Sequence, residues 1–289
     1  MVATVLWVYV GSVLWSMRIS VSSSRTLPLP DFVGLKQYAR LFDSERWMIS
    51  LQNMALFGVL FILGCLAIGF LLAVSIDQRV RAEGLLRTIF LYPYAMSFVA
   101  TGLVWQWMLN PELGLQATVR GWGFPAFTFD WIVRQETVML AIVAAAVWQA
   151  CGLVMALMLA GLRGIDESLW MAARIDGIPK WRVYASIVLP MLGPSFGTAF
   201  VLLSVSVVKV FDIVVAMTQG GPGLASEVPA KFIIDNLLVR ANIGLASAAS
   251  TVLLLTVLAL LAPWFHARAH ASRRAGRAAR ASDPSEAAA

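Results

Sequence analysis

Two ionisable residues stand three positions apart inside an apolar run, Lys209 and Asp212 in "VLLSVSVVKVFDIVVAM" at 201–217. Charges inside such runs are expensive and mark ion relays, substrate pathways or mutually neutralised pairs. On one helix this spacing gives neighbouring positions on one face. The pair therefore reads either as a relay for an ion gradient or as a structural pair turned to the bundle interior. Nucleotide chemistry is a different matter, because a phosphate-cradling loop needs a Gly-Lys step. Lys36, Lys180, Lys209 and Lys231 all follow other residues. Cys65 and Cys151 lie within apolar runs and read as small buried residues, while His266 and His270 lack Cys or carboxylate neighbours at ligand spacing. Without paired carboxylates or a nucleophile and its base, the chain is expected to carry neither a catalytic nor a metal site. Its energy then comes from a partner or an ion gradient.

A second set of residues could recognise a polar solute, since a wet cavity needs hydrogen-bonding groups and stacking surfaces. Asn53, Tyr94, Trp105, Gln106, Trp148, Gln149, Lys209, Asp212 and Gln219 lie in or near the apolar runs. Each also has a structural reading: Asn53 as a helix cap, Trp105 and Trp107 as interface anchors, Gln149 as a partner for a neighbouring helix. The turn at Gly220, Gly221, Pro222 and Gly223 breaks its run sharply and exposes backbone amides. It reads as a flexible connection.

The elements that must position these residues follow from composition. The chain is 60% hydrophobic and 13% charged, against about 25% charged in ordinary soluble domains. An apolar run of roughly 20 residues crosses a bilayer as a helix, which predicts an all-α polytopic membrane protein. Six spans are expected at about 2–21, 51–76, 88–109, 137–162, 192–217 and 243–265, with a basic tail at 266–289 that lacks an apolar face. The net charge of +6 tracks the membrane, not nucleic acid. Segments 77–87, 163–190 and 266–289 hold twelve Lys and Arg in 63 residues, against nine in 85 for 18–50, 110–136 and 218–242. The bias puts both termini in the cytoplasm.

One insert breaks the pattern: "GIDESLWMAARIDGIPKWRVYASIVLP" at 164–190. Asp166 or Ser168 can cap a helix running to about Ile175, Gly177 can close it in the left-handed conformation, and Pro179 suits the first turn of a second helix. Leu169, Ala172, Ala173 and Ile175 are too few to form a domain, and Arg174, Lys180 and Arg182 supply charge around them. Such a helix-turn-helix suits a docking knob for another protein or an interfacial pair lying among headgroups.

The insert resembles the cytoplasmic "EAA…G" loop of bacterial ABC importer permeases. Met171-Ala172-Ala173, Asp176-Gly177 and Leu189-Pro190 match that motif, with Met171 standing where the motif has Glu. A salt bridge made by that Glu in relatives is therefore absent here or supplied elsewhere. "FVGLKQYARLF" at 32–42, "RTIFLYPYAMSFVATGLVWQWMLNPELGL" at 87–115, "VWQACGLVMALMLAGLRGID" at 147–166 and "KVFDIVVAMTQGGPG" at 209–223 are similar to the carbohydrate importers of this class. "LFDSERW" and "GLASEVPAKF" resemble the first permease of glucose/mannose-type systems. The resemblance implies the ABC importer permease fold in the bacterial inner membrane, a second homologous permease, two cytoplasmic ATPases that bind ATP and Mg, and a periplasmic or lipid-anchored sugar-binding protein. It assigns the Asp176-Gly177 turn to coupling with an ATPase and the 220–223 turn to an outer loop near the pathway or the binding protein's docking face. The solute would be a glucose- or mannose-like sugar or a small glycoside. An ion-driven secondary transporter or channel using Lys209 and Asp212 is the alternative.

Overall fold

The computed structural model describes residues 2–28, 31–78, 81–259 and 262. Among these residues the chain is helical, and its extended pairing is a single antiparallel bridge between Ser22 and Phe32. The long helices are α1 (Val2–Ser20), α3 (Glu45–Asp77) and α7 (Val138–Arg163), with the short α2 (Lys36–Phe42) leading into α3. α4 (Glu83–Ala95) and α5 (Phe98–Leu109) form a bent pair, followed by α6 (Leu115–Gly121). After α7 come α8 (Glu167–Ile175), α9 (Lys180–Val183), a π-turn at Tyr184–Val188 and α10 (Leu189–Met191). α11 (Gly193–Val208), α12 (Phe211–Met217), α13 (Pro229–Ile234), a second π-turn at Asp235–Val239 and α14 (Ile243–Ala259) complete the described fold.

α7 is the central post: 78% of its most apolar window is buried, against 28% for α3. Its buried side runs through Ile142, Ala145, Ala146, Val154, Met155 and Met158, and α3 lays Phe57, Phe61, Cys65 and Ala73 into the same core. In a bilayer such packing rests on close van der Waals fit, which favours small residues at the crossings. Gly69 is one: a Cβ there would meet Val154 Cγ1 at 2.6 Å.

α3 and α7 are each long and apolar enough to cross a membrane, and each of two bent helix pairs is a further candidate. The span expected at about 88–109 falls on α4 and α5, a pair bent by 98°. Pro93 sits inside α4, and Ser97 restarts the helix by accepting a hydrogen bond from Ala100 N at 3.1 Å. The expected helix at 192–217 is likewise interrupted, since α11 ends at Val208 and α12 begins at Phe211. A further bend of 66° separates Lys180–Met191 from α11. α3 starts six residues before the expected 51. The tail at 266–289 lies outside the described residues.

Candidate functional site: the α8 turn and the α13 charge network

The insert folds from local signals. Asp166 caps α8 by accepting from Ser168 N at 2.8 Å, and this hydrogen bond holds its carboxyl below the usual range. At the other end Gly177 takes φ +67, a conformation that costs side-chain-bearing residues roughly 1–2 kcal/mol. Ile178 N donates to Ala173 O at 3.1 Å and Gly177 N to Arg174 O at 3.2 Å, the two bonds of a Schellman closure. Pro179 falls one residue before α9 and does not enter its first turn.

Pro190 lies inside a continuing helix, although it has no N–H and its ring crowds the carbonyl four residues back. The π-turn relieves this: Leu189 N donates to Tyr184 O, five residues back, widening the helix just before the proline. Ser186 Oγ satisfies the Arg182 carbonyl at 2.6 Å.

Ala173, Val183 and Val188 are buried beneath the turn, and Trp170 packs against Tyr184 with ring centroids 5.6 Å apart. Ala173 therefore serves this chain's own core and is absent from the outward face. That face shows Met171 at 53% and Ile175 at 86% exposure, together with Ala172, Asp176 and Gly177. Arg174, Lys180 and Arg182 are exposed beside them, and Arg182 lies over the Trp181 ring. The root of the turn is tied down by Arg163, whose Nη2 lies 2.7 Å from Glu83 Oε1 and whose Nε lies 3.8 Å from Asp77 Oδ1. The hydrogen bond from Arg163 holds the Glu83 carboxyl below its ordinary range. Asp77, Glu83 and Arg163 end or begin α3, α4 and α7, so three helices meet where the turn departs.

Lys209 and Asp212 do not share a helix face. Lys209 caps the end of α11, Asp212 lies in the first turn of α12, and no salt bridge joins them among the described residues. A carboxylate in a first turn suits the positive end of the helix, which accounts for Asp212 without a relay. Gln149, only 2% exposed, donates to Met96 O at 2.8 Å across the break between α4 and α5. Its Oε1 is buried without a partner. Trp148, 40% exposed, meets Trp105 edge-on at 6.0 Å, and Tyr94 is also exposed.

Asn53 belongs elsewhere: its Nδ2 donates to the carbonyls of Leu224 and Glu227, each at 3.0 Å. Glu227 is 2% exposed and accepts from Arg46 Nη2 at 2.6 Å, with Lys231 Nζ at 3.7 Å. Asp235 bonds the same Arg46 and takes Lys231 Nζ at 2.7 Å. Burial would raise the Asp235 carboxyl, but its bonds to Lys231 and Arg46 outweigh this and hold it below the usual range. The turn Gly220–Gly223 is built into this network. Ser226 Oγ donates to Gly221 O at 2.7 Å and pairs with Thr218 Oγ1 at 2.7 Å. Gly220 has φ +89, and a Cβ there would meet Glu227 Oε2 at 2.8 Å. Gln219 beside it is exposed, with φ +53.

The family of binding-protein-dependent transport system inner membrane components matches residues 66–271. The chain belongs to that family. A probable ABC transporter permease of Pyrococcus horikoshii is 35% identical over 257 residues, 88% of each chain. The sn-glycerol-3-phosphate permease UgpA of Agrobacterium fabrum is 35% identical over 80% of the permease and 79% of UgpA. The xylose/arabinose import permease XacH of Haloferax volcanii is 29% identical over 89% and 81%. In fold, the permease superposes on a chain of a bacterial ABC transporter that imports the acidic polysaccharide alginate. That match has a TM-score of 0.78, covers 94% and 92% of the two chains and has 19% identity.

The permease's α13 network escaped sequence reasoning because Arg46 and Glu227 are 181 positions apart. One local signal was present, the four-residue spacing of Glu227, Lys231 and Asp235, which is the rhythm of charge pairing along a helix.

Proposed function

We propose that the permease is one membrane subunit of an ATP-driven sugar importer, with the α8 turn as the surface that receives an ATPase. Six spans leave both termini in the cytoplasm, the α8 turn inside and the α13 network outside. A second homologous permease, two ATPases that bind ATP and Mg, and a periplasmic or lipid-anchored sugar-binding protein complete the assembly. The observation that carries this reading is the α8 turn itself: an apolar tip of Met171, Ala172 and Ile175 exposed beside a rigid glycine closure, rooted by Arg163 where three helices meet. Closure of the ATPases would push on this tip and, through that root, on α3, α4 and α7, so the pathway alternates between its two faces.

The solute is a sugar, glucose- or mannose-like or a small glycoside. The polyhydroxyl solutes named for the relatives support the class. The free acceptor of Gln149, with Trp148 beside it in sequence and Tyr94 two residues before the Met96 carbonyl that Gln149 binds, supplies the chemistry for it. Purification of the tagged chain from native membranes tests the assembly. An ATPase is expected to co-purify and to accelerate when sugar-loaded binding protein is added. A chain that purifies alone and moves solute along an ion gradient would overturn the reading.

A further inference from the structure

Arg163 stands between two carboxylates and has closed on only one of them. Its Nη2 lies 2.7 Å from Glu83 Oε1, while its Nε stops 3.8 Å from Asp77 Oδ1, too far for a hydrogen bond. Glu83 in turn has a second cation within reach, since Arg87 Nη1, one turn along α4, lies 4.0 Å from the same Oε1. Two cations and two carboxylates therefore have two complete pairings. In the one seen here Arg163 holds Glu83. In the other Arg163 moves to Asp77 and Glu83 passes to Arg87, so that each charge keeps a neighbour of opposite sign. All four side chains are 25–45% exposed, a setting in which ion pairs contribute little net stability. The two pairings are thus close in free energy, and a small motion decides between them.

The three helices are pinned to one another away from this end. A Cβ at Gly152 of α7 would meet Phe90 O of α4 at 1.9 Å, and one at Gly69 of α3 would meet Val154 Cγ1 of α7 at 2.6 Å. Glu83 lies seven residues from Phe90 and Asp77 eight from Gly69, lever arms of about 10 and 12 Å. A tilt of about 5° on such an arm moves a helix end by about 1 Å, which is the gap that Arg163 must close to reach Asp77. α8 begins at Glu167, four residues after Arg163, so force on the α8 turn reaches this side chain first.

We propose that Arg163 is a positioning residue for coupling: movement of the α8 turn transfers its guanidinium from Glu83 to Asp77, which releases the start of α4 and draws the end of α3 toward α7. The exchange rests on the docking of an ATPase at the α8 turn, as proposed above.

Electron cryo-microscopy of the whole assembly, at rest and trapped with vanadate during ATP hydrolysis, observes the exchange directly. The trapped state should place Arg163 about 2.8 Å from Asp77, with Glu83 on Arg87. Arg163 still bonded to Glu83 in both states would overturn the proposal. Solute imported per ATP hydrolysed, measured in vesicles, tests its use. Asp77→Asn should lower this ratio roughly fivefold with thermal unfolding unchanged, Arg163→Gln should do the same, and the double variant should lose no more, since the two residues act as one unit. Arg163→Lys keeps the charge and should retain most of the native ratio. A native ratio for Asp77→Asn, or additive losses in the double variant, would contradict the exchange. Gly177→Val separates that failure from failure of the docking itself. Uncoupling by Gly177→Val beside a native Asp77→Asn sinks only the exchange, whereas native coupling in both variants sinks the docking as well.

Discussion

The α8 turn and the α13 network occupy opposite ends of α3, which runs from near Arg46 to Asp77. Its 33 residues span about 50 Å. At one end the polar groups are committed to each other: Glu227, Arg46, Lys231 and Asp235 bond in a closed set, and Asn53 clamps the same loop. At the other end the side chains are left open, with Ile175 and Met171 facing out over a single buried alanine layer. Both ends use a glycine at positive φ, yet Gly220 is pressed against Glu227 and Lys231 while Gly177 has no atom within 4 Å of a hypothetical Cβ. The difference separates a region whose polar groups are satisfied within the chain from one whose apolar side chains this chain leaves uncovered.

Breaking the fixed end should have the largest effect. Glu227→Gln leaves Arg46 and Lys231 with one carboxylate in a largely buried site, and should cost about 3–5 kcal/mol. The measurement is the thermal unfolding midpoint of the purified chain. A shift no larger than that of a surface substitution would show the network to be dispensable.

The two glycines sharpen the contrast. Gly220→Ala combines a left-handed backbone with a contact at 2.8 Å to Glu227 and should cost roughly 3 kcal/mol, whereas Gly177→Ala carries only the backbone cost of roughly 1 kcal/mol. Equal destabilisation of the two variants would erase the distinction between the ends.

Acid should act more gently. The Asp235 carboxyl is held below its ordinary range in the folded chain, so its contribution is complete above the unfolded aspartate value of about 3.9 and is lost as pH falls through the folded value. The unfolding midpoint should stay flat from about pH 7 to 5 and decline below about 4. Asp235→Asn should lower the neutral midpoint and flatten that decline, and an unchanged acid limb would contradict the assignment.

The two ends were unequally legible in the sequence. Asp166, Gly177 and Pro179 act within a few residues of where they stand, so the helix, its closure and the next start could be read locally. The α13 network needs Arg46 brought to Glu227 across most of the chain, and no short window contains that contact. Hydropathy was blind to the bend after Ala95 and to the break at Lys209, because apolar residues continue through both. Pro93 followed by Ser97 was a readable stop and restart that the length of the apolar run concealed. Ala173 could be placed on the helix but not on its buried side, since rotation is set by Val183, Val188 and the Trp170–Tyr184 contact.

The most direct measurement compares sugar uptake with ATP hydrolysis in vesicles containing the whole assembly, with Gly177→Val against the native chain. Valine cannot easily hold φ +67 and would reshape the tip without removing any charge. The account predicts normal amounts of protein, continued ATP hydrolysis and uptake reduced roughly tenfold or more, equivalent to about 1.4 kcal/mol of lost coupling. Native uptake at a native protein level would contradict the claim that this turn carries the force.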